Sequence, residues 1–145
     1  MPATLTVKDL MRTGVEALTP GTTLQEARRR MTDLEIRHLP VVDDKGHLVG
    51  IVSQRDVARA LDMAVAAQGV RATISAGDVM HRRLVTARVG DPAHEVVAHL
   101  IENKIGAVPV VDDDNHLIGL VTETDFLVIA HQALLGIEPR RHART

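Results

Sequence analysis

The chain has 145 residues, and 17 basic against 19 acidic side chains give a formal net charge of −2, which argues against a nucleic-acid-binding surface. It contains no cysteine, which excludes disulfides, thiol catalysis and zinc–thiolate sites, and Phe126 is its only aromatic residue, which argues against base stacking. No apolar run is long enough to span a membrane and the N-terminus lacks a secretory signal pattern, so we expect a cytoplasmic protein.

The first half of the chain predicts a short helix, an extended segment, a long helix, a hairpin and a second long helix. Thr23 and Glu26 match a capping box at the start of the first long helix, which is amphipathic, and Gly69 is expected to end the second. The elements are expected at residues 7–11, 15–19, 23–34, 39–42, 48–52 and 53–68.

The second half repeats this pattern with a shift of 69 positions. Residues 36–56 and 105–125 align without a gap and are identical at 11 of 21 positions, which indicates an internal duplication. Pro92 stands at a predicted helix start, where its missing N–H costs nothing, and Gly136 is expected to end the last helix. The elements are expected at residues 76–80, 84–88, 92–103, 108–111, 117–121 and 122–135.

Each repeat therefore predicts a β-α-β-β-α unit of an α+β fold. About sixty residues make a marginal core, so the two units are expected to pack about a pseudo-twofold axis and to leave a ligand-binding cleft between them. The predicted organisation is a first repeat over 7–68, a second over 76–135 and a basic C-terminal tail over 136–145.

The junction of hairpin and helix carries the most informative residues. Ser53 is followed at +3 by Asp56, and the second copy places Thr122 and Asp125 in the same way. One interpretation is a capping box, which stabilises a helix by about 1 kcal/mol. The other is a nucleotide site, because a helix start suits phosphate and a nearby carboxylate accepts the two hydroxyls of a ribose.

The chain resembles a tandem pair of cystathionine β-synthase (CBS) domains, also called a Bateman module, over roughly residues 7–135. The matching features are "DLM" and "DVM", "IRHLPVVD" and "IGAVPVVD", and "GHLVGIVSQRD" and "NHLIGLVTETD". The resemblance implies a regulatory module, not an enzyme, that holds AMP, ADP, ATP, S-adenosylmethionine or an NAD-type ligand between its repeats. Mg²⁺ could accompany the nucleotide, and no cofactor is required.

The family pattern also assigns residues. It implies ribose recognition by Asp56 and Asp125 and phosphate contact by Ser53 and Thr122. Residues of the adenine slot are then Ile36, Arg37, His38, Ile105, Gly106 and Ala107. Thr86 fits a first-strand threonine of the family, whereas its counterpart is Ala17. Arg55 could bind phosphate through a charge-assisted hydrogen bond or could be a solvent-facing side chain.

Other motifs do not predict a metal site. His94 and His99 are one residue too far apart for HExxH and lie about 140° apart on a helix. The aspartates at 43–44 and 112–114 lack the spacing of a calcium loop, so we interpret them, with His47 and His116, as turn residues.

The leading hypothesis is a stand-alone sensor that binds an adenosine-containing ligand and signals to a protein partner in trans. Apolar outer faces on its helices favour a homodimer, with no nucleic acid and no membrane as partner. The alternative is an interaction scaffold whose ligand sites are degenerate.

Overall fold

The computed structural model describes residues 4–67 and 73–138. Its elements are α1 (Val7–Leu10), α2 (Leu24–Leu34), β1 (His38–Val42), β2 (Leu48–Ser53), α3 (Gln54–Ala66), α4 (Ala76–Val79), α5 (Ala93–Asn103), β3 (Ala107–Val111), β4 (Leu117–Thr122) and α6 (Glu123–Leu134). Gly69, expected to end α3, and the basic residues of the predicted tail lie outside the described residues. No helix in the described parts of the chain is long and apolar enough to cross a membrane.

The chain forms two compact units that do not follow the two halves of the sequence. One unit lies within residues 16–84 and is called the Asp56 unit, and the other lies within residues 1–15 and 85–145 and is called the Asp125 unit. Each unit therefore combines the hairpin and long helices of one copy with the opening short helix of the other copy.

In the Asp56 unit, β1 and β2 form an antiparallel hairpin with His38 opposite Ser53. The extended segment predicted at residues 15–19 contributes only one bridged residue: the Leu18 amide donates to Pro40 and the Leu18 carbonyl accepts from Val42, both at 2.8 Å. Buried residues of α2, the hairpin, α3 and α4 share one apolar core: Leu18, Leu24, Ala27, Met31, Leu39, Val41, Val52, Val57, Ala76 and Met80.

The Asp125 unit repeats this arrangement. Strands β3 and β4 pair with Ala107 opposite Thr122, and Ala87 forms the equivalent parallel bridge to Val110. Its core includes a residue of α1 as well as residues of α5 and the hairpin: Val7, Ala87, Val96, Leu100, Val108, Val110 and Val121.

Two helix ends test the predicted signals. The Thr23 side chain accepts the Glu26 amide at 3.2 Å, as predicted, but the Glu26 carboxylate binds Arg29 and Arg30 on α2, so the cap is one-sided. Gly136 follows α6 with a φ of +74°, a conformation that glycine adopts without a Cβ penalty. The predicted stop of α6 is confirmed.

Within each unit, the segment after a short helix pairs with a hairpin strand and thereby positions the residues of the candidate site. His81, just after α4, exchanges two backbone hydrogen bonds with Ile51 of β2, and Arg12, just after α1, exchanges two with Leu120 of β4. The strand glycines allow this approach: a Cβ on Gly50 would lie 2.5 Å from the Met80 sulfur, and the matching glycine of β4 is also closely packed.

Candidate functional site

The first helix turn of α3 carries a reciprocal cap. The Asp56 amide donates to Ser53 Oγ at 3.1 Å, and the Ser53 hydroxyl donates to Asp56 Oδ2 at 2.7 Å. The Ser53 amide also faces Oδ2, at 3.4 Å. The capping-box interpretation is therefore confirmed at this junction, and any ligand role of Asp56 must coexist with it.

The Asp56 carboxylate has a second partner, the imidazole of His81. Nε2 of His81 lies 2.9 Å from Oδ2 of Asp56, and the side chains are 64% and 19% exposed. Burial raises the pKa of Asp56, but the bonds from Ser53 and the charge of His81 outweigh it and lower the pKa below its ordinary value. All these bonds converge on Oδ2; no residue in 4–67 or 73–138 bonds to Oδ1.

The first turn of α6 places Asp125 in the same role with different neighbours. The Thr122 amide and hydroxyl donate to Oδ2 at 2.8 and 3.3 Å. Nε of Arg12 donates to Oδ1 at 3.1 Å, so both carboxylate oxygens have partners. The Asp125 side chain is 0% exposed, whereas that of Arg12 is 56% exposed. A buried carboxylate here is matched by an arginine at the surface.

Arg12 and His81 were not among the residues predicted from the sequence. They are related by the same shift of 69 positions and both follow the methionine of the opening helical motif. A basic side chain at matched positions was the available signal. Its meaning depends on the pairing of each opening segment with the hairpin of the other copy, which the local pattern does not contain.

The other predicted residues of the first copy lie around the α3 start. The Arg37 carbonyl accepts the Gln54 amide at 2.7 Å, which occupies one donor of the helix terminus. The side chains of Arg37 and Arg55 are exposed, and partly buried His38 begins β1 opposite Ser53. Ile36 packs against the core of the Asp56 unit. The structure thus gathers the predicted residues of this copy at one junction.

The predicted residues of the second copy follow the same plan. The Gly106 carbonyl accepts the Glu123 amide at 3.1 Å, Ala107 is buried opposite Thr122, and Ile105 packs against the core. Thr86 is exposed beside the bridged residue Ala87. The carbonyl of its counterpart Ala17 accepts a hydrogen bond from Arg30.

The hairpin turns form a third group of polar side chains. The acceptor atoms of Asp112, Asp114 and His116 lie within 4.8 Å of one another. Oδ1 of Asp112 accepts the amides of Asp114 and His116, both at 2.9 Å, and the Asp43 carboxylate does the same in the first hairpin. These bonds lower the pKa of Asp112 and account for the cluster as turn structure.

Comparison with known proteins identifies relatives for both copies. A family model described as "CBS domain" matches residues 7–63 and 76–131. An L-aspartate semialdehyde sulfurtransferase of Methanocaldococcus jannaschii is 36% identical over 124 residues, which are 86% of this chain and 23% of that protein. The chain spans 23% to 45% of the length of this relative and of two further curated relatives.

Solved structures match almost from end to end. The CBS domain pair of protein MJ0100, in complex with 5′-methylthioadenosine and S-adenosyl-L-methionine, has a TM-score of 0.76 and 30% identity, and the match covers 85% of this chain and 97% of that one. CBSX2 in complex with AMP has a TM-score of 0.76 and 28% identity, with 89% and 98% covered. The ligands in both of these structures contain an adenosine group.

Proposed function

Because the chain belongs to the CBS domain family and carries the domain in two copies, we propose that it is a regulatory module that binds an adenosine-containing ligand at its helix-start carboxylates and signals to a partner protein. The candidate ligands are AMP, ADP, ATP, S-adenosylmethionine and NAD, with Mg²⁺ as a companion of a polyphosphate. A cytoplasmic location and a non-catalytic role belong to the same proposal.

The observation that carries this proposal is the state of the Asp56 carboxylate. Its side chain is 19% exposed, its Oδ2 is held by Ser53 and His81, and its Oδ1 has no partner in the described parts of the chain. A fixed carboxylate oxygen that is free to accept suits the hydroxyls of a ribose. The capping bonds then serve to hold the carboxylate in place.

The surroundings of Asp56 also suit phosphate. The first turn of α3 presents a positive helix terminus, where anions are stabilised. Exposed Arg37 and Arg55 lie at this terminus and add two cations. The second copy has Gly106 and Thr124 at these positions, so we expect the phosphate preference of the two copies to differ.

Exposed apolar side chains on the helices support a homodimer within the same proposal. Val65 on α3 and Leu134 on α6, which are related by the 69-residue shift, are 80% and 87% exposed, and Leu127 is exposed one heptad before Leu134. Large apolar side chains that are exposed to water on a helix favour association with another surface. The occupant we propose for the exposed apolar side chains of each helix is a second copy of the chain, because both repeats offer the same position.

These exposed side chains also favour a second candidate function, a dimeric scaffold whose ligand sites are empty. The two functions differ in their response to ligand. A thermal-shift series with AMP, ADP, ATP, S-adenosylmethionine and NAD separates them, because a ligand at 100 times its dissociation constant stabilises the native state by about 2.7 kcal/mol. We expect at least one adenosine compound to raise the melting temperature, with guanosine and uridine counterparts as controls.

Unchanged melting temperatures across the panel would support the scaffold instead. The same samples test for catalysis: a ligand that is recovered unchanged after long incubation supports a regulatory role. The enzymes among the curated relatives are proteins of which the match covers about a quarter, which is consistent with that outcome.

A further inference from the structure

The two helix-start carboxylates differ in which of their oxygens the basic side chain contacts. His81 binds Oδ2 of Asp56, the oxygen that Ser53 already holds, and leaves Oδ1 without a partner in residues 4–67 and 73–138. Arg12 binds Oδ1 of Asp125, the oxygen that the cap leaves over. Matched residues of the duplication therefore leave one carboxylate open and close the other.

The charge and the burial of the two pairs both favour binding of a sugar at Asp56 over binding at Asp125. The arginine side chain carries a permanent positive charge, whereas an imidazole is charged only when it is protonated. The Asp125 side chain is completely buried under its partners, while that of Asp56 keeps an exposed fraction of 19%. A sugar that binds Asp125 must displace a charge-assisted bond from Arg12, and a sugar that binds Oδ1 of Asp56 displaces no residue of the described chain.

From this difference we propose that Arg12 closes the ribose position of the second copy, so that the chain binds one adenosine-type ligand, at Asp56. Arg12 is then the residue that sets the stoichiometry of binding. The inference rests on the proposed function and deepens it, since it names the carboxylate that the sugar uses. The ligand chemistry at this position is a vicinal diol on an uncharged sugar.

The test uses 5′-methylthioadenosine, which lacks phosphate, so that contacts of the sugar are read without contacts of an anion. Binding to the wild-type chain is followed by calorimetry for stoichiometry and by the backbone amide signals of Asp56 and Asp125 for position. We expect one ligand per chain, with saturable shifts at Asp56. In the Arg12→Gln and Arg12→Met variants we expect a second ligand per chain and new saturable shifts at Asp125.

The matched substitutions at position 81 are the control. His81→Gln removes the imidazole but leaves Oδ1 of Asp56 as it is, so the stoichiometry should stay at one. His81→Arg imitates Arg12 and should weaken binding at Asp56 by roughly ten- to a hundredfold, the change that corresponds to a charge-assisted hydrogen bond. The wild-type stoichiometry tests the inference even if an Arg12 variant fails to fold.

Each other outcome overturns the inference. Two equivalent sites in the wild-type chain, or binding at Asp125 alone, would contradict it while leaving the proposed function intact. A repeat with AMP distinguishes a further case: if Arg12→Gln abolishes AMP binding at Asp125, then Arg12 binds phosphate and does not close the site. If neither the wild-type chain nor any variant binds 5′-methylthioadenosine or AMP, and no ligand of the thermal-shift panel binds, the proposed function and this inference are overturned together.

Discussion

The side chains of His81 and Asp56 meet between chain positions that are 25 residues apart, with Nε2 and Oδ2 separated by 2.9 Å. The contact depends on the two backbone hydrogen bonds between His81 and Ile51, which hold the segment after α4 along the edge of β2. The charges on the elements packed nearby are Arg55, Arg59 and Asp62 on α3, Asp78 on α4, and Arg82 and Arg83 beside the histidine. Among the described residues only Asp56 places a carboxylate within 4 Å of the His81 imidazole.

The first prediction concerns the titration of Asp56. Burial raises the pKa of this carboxyl, but the Ser53 hydrogen bond and, after it, the charge of His81 lower it below the ordinary value. We expect the pKa of Asp56 to rise in Ser53→Ala and to rise by a smaller amount in His81→Gln. Carbon NMR of the side-chain carboxyl between pH 2 and 7 measures both, and His94→Gln, an exposed histidine on α5, should leave it unchanged.

The lowered pKa of Asp56 predicts how the stability of the protein changes with pH. A carboxyl with a lower pKa in the folded than in the unfolded state stabilises the fold above the unfolded pKa of about 4, and this contribution is lost as the pH falls through the folded pKa. We therefore expect Asp56→Asn to flatten the acid limb of the stability curve below pH 4. An acid limb that matches the wild-type curve would mean that Asp56 titrates alike in both states.

The two aspartate-to-asparagine variants should differ in stability. Asparagine keeps a side-chain acceptor for the cap, so Asp56→Asn should cost about 0.5–1 kcal/mol. Asp125→Asn also weakens a charged hydrogen bond to Arg12 in a buried position and should cost about 1.5–3 kcal/mol. Urea denaturation measures both.

Ligand affinity separates binding from capping in the same variants. If Asp56→Asn lowers the free energy of unfolding but leaves affinity for adenosine ligands intact, Asp56 is a structural residue only. If affinity falls at least tenfold while unfolding changes little, the carboxylate contacts the sugar. The same reading applies to Asp125 in the Arg12→Gln background.

The hairpins and helices could be predicted from the sequence because their signals are local. Apolar runs and turn residues marked both hairpins, and Gly136 marked the end of α6. The cap at Glu26 was half right, because Arg29 and Arg30, three and four residues further on, compete for the same carboxylate. Of the strand expected at 15–19, the structure has one bridged residue, Leu18. Pairing at this segment depends on its contact with Val41 of the hairpin, which the local sequence pattern does not contain.

The partners of the candidate site could not be predicted in the same way. The contact of Arg12 with Asp125 spans 113 positions in the sequence and joins the segment after the opening helix of one copy to the hairpin–helix junction of the other. The duplication shows that such contacts come in matched pairs but not which segments meet. Only the folded units show that each carboxylate contacts a basic side chain, and that Arg12 contacts Oδ1 whereas His81 contacts Oδ2.

The glycines of β2 and β4 test how closely the segments after the short helices pack on these strands. A Cβ at position 50 would lie 2.5 Å from the Met80 sulfur, and one at position 119 would lie 2.9 Å from the Met11 sulfur and 3.0 Å from the Arg12 carbonyl. Gly50→Ala and Gly119→Ala should each destabilise the protein by about 1–3 kcal/mol, because the opening segment must move. Thermal and urea unfolding measure the loss.

Two other matched glycines provide the control for these substitutions. At Gly21 and Gly90 a Cβ would have no heavy atom within 4 Å, and neither residue has a positive φ, so alanine should be tolerated at both. Since a Cβ at position 119 would also press on the Arg12 carbonyl, Gly119→Ala should shift the Arg12 side-chain signal. Equal stability of all four variants would contradict this packing of the opening segments on the strands.

The last prediction concerns the exposed apolar side chains. Leu134→Asp and Val65→Asp place a charge where a second copy of the chain is proposed to pack, and burying an unpaired charge in an interface is strongly unfavourable. Light scattering after size exclusion should give twice the chain mass for the wild type and one chain mass for these variants, with unchanged circular dichroism. His94→Asp adds the same charge at an exposed position of α5 and should remain a dimer, whereas a monomeric wild type would exclude the exposed side chains of α3 and α6 as self-association surfaces.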